Sequence, residues 1–397
     1  MSRVLVGALV SGGAFALAAL VSGGTANASC MSFSGIGNGG GCTSTAGTFA
    51  IGIGEGATAS AINGSTSHAF AMGTNASAST DGTRDTAIAI GDGAVAMAGA
   101  AGDRTGDNDT AVAIGPAAQA IAVFGSDSKA TAVGENVSAI ASGNQDNATV
   151  VGKNSRVRLV VGDNNSGTVI GDNNYAQSVD GDGNKVTVIG KNNGRAGLLS
   201  QITVSGGDNN AVTVIGEDNQ IIAAGAGISG KTENDNNRVT VIGKGNENTW
   251  AVGGDNNTTT VVGDYNQVAT QNGNNNTATA VGRVNIAIVG QGDDNTATIN
   301  GDLNLVTVGG GKHNTVNVRG DSNTARTLFG ENNSARVVGN RNVAIAGPGD
   351  NNHVTIKGDD QTSQQPGPES ARVAKATAKP AAKPDKGAAK PKPSPKG

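Results

Sequence analysis

Apolar and polar residues alternate with period two along most of this chain, in short runs that each end at a glycine, as in NTATAVG at 276–282 and NTATING at 295–301. Period two places successive side chains on opposite faces of a strand, so each run reads as a β-strand with one buried face. A Gly-containing turn every nine or ten residues closes each strand onto the next. The chain is therefore read as all-β.

The turns are strictly periodic. From Gly263 the punctuating glycines fall at 273, 282, 292, 301, 311, 320, 330, 339, 349 and 358, so spacings of ten and nine alternate and two half-turns make 19 residues. Three residues after each of these glycines except the last stands an asparagine: Asn266, Asn276, Asn285, Asn295, Asn304, Asn314, Asn323, Asn333, Asn342 and Asn352. The second residue after each Asn is small and apolar, from Val268 and Ala278 to Ala344 and Val354. One 19-residue unit cannot bury its own face, so units must stack, each pairing its backbone with the coil above and below. Asn at the start of each strand is expected to point inward and form a ladder in which every side-chain amide bonds its equivalents one coil away.

The register extends upstream through Gly54, Gly73, Gly91, Gly115, Gly134, Gly152, Gly171, Gly190, Gly216 and Gly243. Excess residues gather near 102–107, 195–201 and 224–231, which read as loops extruded from the stack. The expected fold is a parallel two-sided β-solenoid, or β-roll, of about 19 residues per coil and about 16 coils, on the order of 75 Å long. Its N-terminal half is richer in Ala and Ser and its C-terminal half in Asn and Thr, and residues 46–360 are read as one domain.

Composition agrees with a thin core. Aromatic residues make up 2% of the 397-residue chain while Gly contributes 63 residues, so a broad core has nothing to fill it. The first residues give Arg3, an apolar stretch from Val4 to Val21, and Ala26-Asn27-Ala28 in A-x-A form, which predicts a signal peptide over 1–28, cleaved after Ala28, and a secreted or cell-surface location. Nothing later is apolar enough to span a bilayer as a helix. The two cysteines, Cys30 and Cys42, follow the cleavage point in a segment, 29–45, read as a disulfide-closed cap. Lipidation of Cys30 is the alternative, although Asn27 stands where an aliphatic residue is expected.

The units GNNNTATAVG at 273–282 and GDDNTATING at 292–301 resemble the curlin repeat of bacterial curli fibres, a strand-turn-strand unit with the pattern G-x-x-N-x-A-x-V. That resemblance covers roughly residues 140–360 and implies a self-assembling fibre subunit. AIAIGDGAVAMAG at 87–99 and AVAIGPAAQAIAVFG at 111–125 are similar to head repeats of trimeric autotransporter adhesins, which implies a parallel β-roll and a surface-binding role. The heptad stalk and barrel of those adhesins have no counterpart in this sequence.

Residues 361–397 change character to a Pro/Ala/Lys-rich run, expected to be disordered. From residue 371 on, Arg372, Lys375, Lys379, Lys383, Lys386, Lys390, Lys392 and Lys396 against Asp385 leave seven net positive charges. The whole chain carries −4, so residues 1–370 carry −11. A basic tail on an acidic body predicts docking on anionic cell-wall or extracellular polymers. It lacks aromatic residues for base stacking, which excludes sequence-specific nucleic-acid recognition.

Candidate chemistry is sparse. His68, His313 and His353 share no 19-residue spacing, so neither a catalytic triad nor a metal cluster is expected, and GIGEGA at 52–57 resembles a phosphate loop only in its glycines. No cofactor is implied. The G-D-N-N turns invite calcium, yet the residue after the marker glycine reads Lys153, Asp172, Lys191, then Asp264, Arg283, Asp302, Asp321, Asn340, Asp359, and opposite charges mostly interleave. Thr258/Thr260, Thr277/Thr279 and Thr296/Thr298 suggest a small ice-binding face, but the row reads Thr315/Asn317 and Ser334/Arg336 afterwards. The leading expectation is a non-enzymatic adhesin or matrix component held by its basic tail, with a curli-like fibre as the alternative.

Overall fold

The computed structural model describes residues 29–99, 106–159, 162–179, 181–194, 202–225 and 234–365. Every regular element among them is a β-strand, and no helix long and apolar enough to cross a membrane occurs among the described residues. The predicted signal peptide, most of the three insertions and the basic tail lie outside the described residues. The fold is a parallel β-solenoid of about 16 coils.

Contacts divide the chain into two compact units, residues up to Gln145 and residues from Asp146, where the sequence reading treats the repeats as one domain. The division follows the core. Ala50, Ala59, Ala69, Ala78 and Ala87 typify the interior of the first unit, whereas Val186, Val212, Val239 and Ile299 typify that of the second. Each buried Val or Ile contributes roughly 1.5–3 kcal/mol, so the second interior supplies more stabilisation per coil than an alanine-lined one.

In most coils residue i pairs with residue i+19, and a few pair at 18 or 20, as His68 with Thr86 and Arg238 with Thr258. In one sheet Thr258–Val262 pairs in parallel with Thr277–Val281, which pairs with Thr296–Asn300. In the other, Gln267–Gln271 pairs with Ile286–Gly290, which pairs with Leu305–Gly309. The insertions leave the register intact, since Ile189 still pairs with Ile215 and Ile215 with Ile242 although 26 and 27 residues separate the equivalent Asn positions on the opposite row. The final coil passes residue 360, because Thr362–Gln365 pairs with Val343–Ala346.

At each corner the chain must enter the left-handed region just before the inward-facing Asn. Asn275, Asp294 and Asn332 do so with φ near +58°, which Asn and Asp tolerate better than most residues. This explains the second Asn or Asp in G-D-N-N. The marker glycine is needed for a different reason: a Cβ at Gly301, whose φ is +140°, would lie 2.1 Å from the carbonyl oxygen of Gly320.

The first coil is covered. Strand Ser29–Phe33 runs antiparallel to Phe49–Ile53, with Ser29 opposite Ile53 and Phe33 opposite Phe49, and the two phenylalanine rings meet edge-on at 6.4 Å. Cys30 and Cys42 form a disulfide, and Cys42–Ser44 already pairs in parallel with Thr58–Ile62 as a coil strand. The cap and the first coil therefore overlap.

Candidate functional site

Two rows of buried polar side chains run inside the corners. All ten asparagines singled out by the repeat, Asn266 through Asn352, are buried, and the rows extend upstream through Asn257, Asn246, Asn237, Asn219, Asn210, Asn193, Asn184, Asn174 and Asn165. Each Oδ1 accepts the backbone N–H of the equivalent Asn in the next coil, as from Asn285 N to Asn266 Oδ1 at 2.9 Å and from Asn295 N to Asn276 Oδ1 at 3.0 Å. Most Nδ2 groups donate to the marker-glycine carbonyl of the next coil, as from Asn276 to Gly292 at 2.8 Å and from Asn285 to Gly301 at 2.7 Å. The amide thus satisfies both backbone groups that a corner takes out of the ladder.

This corrects the expected all-amide ladder. In the row containing Asn266, Asn285, Asn304 and Asn323 the Nδ2 also reaches the preceding Oδ1, at 3.0–3.2 Å. In the other row Asn276, Asn295 and Asn314 donate to the glycine carbonyl alone. Both rows serve the main chain first, because an unpaired buried N–H or C=O costs more than an amide–amide bond contributes.

In the first unit the same two positions carry other residues. One row becomes alanine at Ala57, Ala76, Ala94 and Ala118, where the corner closes on itself by a bond such as Ala94 N to Gly91 O at 3.2 Å. The other row reads Thr48, Ser67, Asp85, Asp109 and Ser128, all fully buried. Ser67 and Ser128 copy asparagine, each donating its hydroxyl to a glycine carbonyl, Gly82 and Gly143.

Asp85 and Asp109 copy only half of it. Their Oδ1 atoms accept the N–H groups of Asp109 and Ser128 at 2.9 and 2.7 Å, but neither Oδ2 has a hydrogen-bond partner. A Cβ built on Gly82 would lie 2.4 Å from Asp85 Oδ2 and 2.0 Å from the Gly106 carbonyl oxygen; one built on Gly106 would lie 2.3 Å from both Asp109 Oδ2 and the Gly125 oxygen. Each Oδ2 thus crowds the carbonyl to which an Asn would donate. Only a protonated acid can donate there. Burial, reinforced by neighbouring carboxylates that include Asp107, pushes Asp85 up to about 6 and Asp109 up to about 7. Sequence inspection missed this pair because the insertion at 102–107 separates them by 24 residues rather than 19.

The corners explain the acidic turns without metal. Residues after the marker glycine use their carboxylate or amide to accept the preceding coil's N–H, as Lys244 N donates to Asp264 Oδ1 at 2.9 Å and Arg283 N to Asp302 Oδ1 at 2.8 Å. On this corner signs alternate from Lys153 to Arg283, with Glu217 and Lys244 filling the gap left in the sequence reading. The opposite corner does not alternate. Asp163, Asp182, Asp208, Asp235 and Asp255 stack in five successive coils, each linked to the next by an N–H to Oδ1 bond of 2.7–2.9 Å. Among the described residues no group of three or more His, Cys, Asp or Glu is placed to hold a metal ion.

The outward face of one sheet in the second unit is more regular than the sequence suggests. Its third strand position is Thr in eight consecutive coils, Thr149, Thr168, Thr187, Thr213, Thr240, Thr260, Thr279 and Thr298. Two residues on, Val151, Ile170, Ile189, Ile215, Ile242, Val262 and Val281 form a column 38–42% exposed. The aliphatic column ends at Val281 and the Thr column one coil later at Thr298, giving way to Asn300 and Arg319 in the first and to Asn317 and Arg336 in the second. The insertions concealed this continuity, and only the three-coil Thr-x-Thr stretch was visible in sequence.

His68 and His353 are exposed on strands, and His313 sits at a corner with φ +58°, its Nδ1 3.9 Å from Asp294. The structure brings no two of them together. A shallow hollow of about 210 Å³ lined by Ile288, Gly290, Thr307, Gly309 and Phe329 carries no titratable side chain. The tail residues Arg372 to Lys396 lie outside the described residues. No protein-family model matches the chain, and no curated protein matches it in sequence.

Proposed function

We propose that this chain is a secreted or cell-surface structural repeat protein, an adhesin or matrix component, whose solenoid is a rigid display scaffold and whose basic segment docks it on anionic polymers. The observation that carries the reading is the charge split, seven net positive charges after residue 370 against −11 before it, on a fold of repeating surface columns. Export is supported by the A-x-A pattern at 26–28 and by a disulfide immediately after it. No step of chemistry is assigned; the buried polar rows satisfy backbone rather than substrate. The resemblances to curlin repeats and adhesin heads belong with this reading.

A chain lacking residues 361–397 tests the docking role. It should be shed from the cell surface, or fail to bind anionic wall polymer in pull-down, while the intact protein binds and is released by salt. Equal retention of both would refute it. The curli-like reading comes second, favoured by the parallel pairing that continues through the last described strands, His353–Lys357 and Thr362–Gln365. The antiparallel strand over the first coil weighs against end-to-end growth at that edge.

A further inference from the structure

We infer that the threonine–aliphatic face of the second unit is an isologous docking surface for a second copy of this chain, paired with the stacks antiparallel. The inference stands independently of the tail's role.

The two central columns of the face are selectively uncharged, while Lys185 and Arg238 stand in the outward column at its edge. Over the coils from Thr149 to Thr298 no charge enters either central column, whereas Arg319, Arg336 and Lys357 enter them in the coils that follow. The same solenoid therefore charges these central columns in its last coils, and omits the charges from them over a defined span. Seven aliphatic side chains each about two-fifths exposed form one contiguous stripe, of a size that in soluble proteins marks a contact site.

A second copy fits for two reasons. Ridges repeating every coil, about 4.8 Å apart, are met step for step by another stack of the same pitch. The rim supplies orientation. Beside the aliphatic column the corner residues Lys153, Asp172, Lys191, Glu217, Lys244, Asp264 and Arg283 alternate in sign. A two-fold axis along the strand direction, passing between the coils of Ile189 and Ile215, reverses coil order while laying each column on itself. It then sets Lys153 against Asp264, Asp172 against Lys244 and Lys191 against Glu217 of the other copy, opposite charges at every step. A parallel arrangement in register offers no such match.

Six coils at about 4.8 Å and a width of about six residues at 3.3 Å give a footprint of about 570 Å² per copy, or about 1,100 Å² in total. That is the lower end of specific interfaces, so association should be reversible and concentration-dependent.

Sedimentation velocity of the intact protein across roughly 1–100 µM tests this, and a dimer is expected to appear with concentration. Ile189→Lys and, separately, Thr213→Lys should each abolish the dimer while leaving far-ultraviolet circular dichroism and melting unchanged; both positions face outward, and two variants guard against misfolding of one. Mixed Lys153→Cys and Asp264→Cys chains should cross-link to each other far more than either does to itself. A monomer throughout, a dimer unaffected by both lysines, or equal self-linking of Lys153→Cys would each overturn the inference.

Discussion

Replacing Asp85 and Asp109 by Asn should make the first unit more stable above neutral pH and remove most of its pH dependence. Both carboxyls sit where other coils place an Asn or Ser donor, and each has one oxygen facing a glycine carbonyl without a partner. Their folded values of about 6 and about 7 lie above the 3.8 of an unfolded carboxyl. The native state therefore holds its protons to higher pH than the unfolded chain does. Stability contributed by the neutral acids is complete below about pH 4 and is lost as pH rises through 6 and 7. At 1.36 kcal/mol per pH unit the loss is about 3 kcal/mol for Asp85 and about 4 kcal/mol for Asp109. The two do not add fully, since each carboxylate raises the other. Hydrogen exchange at the amides of Asp109 and Ser128, the groups that donate to Asp85 and Asp109, reads this locally. Protection of the wild type, corrected for intrinsic exchange, should fall by about two orders of magnitude between pH 5 and pH 8, while the double Asn variant stays flat. If the Asn variant followed the wild-type profile, or were less protected at pH 8, the protonated-acid account would be wrong.

Other expectations follow from the corners. Asn285→Ala strands the Asn304 N–H and the Gly301 carbonyl and should cost about 2–4 kcal/mol in urea unfolding of the second unit. Gly301→Ala should cost more than about 2 kcal/mol in the same assay, because its Cβ meets the Gly320 oxygen, whereas Gly309→Ala, with nothing within 4 Å, should be near neutral. Val284 is β-branched, 44% exposed and held at φ +56°, so Val284→Asn should stabilise by about 1 kcal/mol, seen as a higher urea midpoint. Reducing the Cys30–Cys42 disulfide, which spans 12 residues, should destabilise the cap by about 3 kcal/mol and raise exchange over 29–53.

The period, the inward Ala and Val positions and the inward Asn were legible because side-chain alternation and turn spacing are both local. Gly301 and Asn304 announce a corner wherever they recur. What was not legible depends on which residue lies one coil away once a loop intervenes. Asp85 over Asp109, Asp182 over Asp208, and the unbroken run from Thr187 through Thr213 to Thr240 all cross insertions, so fixed-period counting misaligned or skipped them. The division of labour within the Asn rows was also hidden. Whether Nδ2 meets an amide or a carbonyl is set by corner geometry, which differs between the two rows although both begin G-x-x-N.

The stack itself is tested most directly by pulsed electron–electron spin distances from a label at Thr258 to labels at Thr315, Ser334 and His353, all on one outward column. These positions are three, four and five coils away. The account predicts backbone separations of about 14, 19 and 24 Å, rising by about 4.8 Å for each added coil. Distances that fail to rise linearly, or that place Thr258 and His353 much farther apart than about 24 Å, would contradict the solenoid.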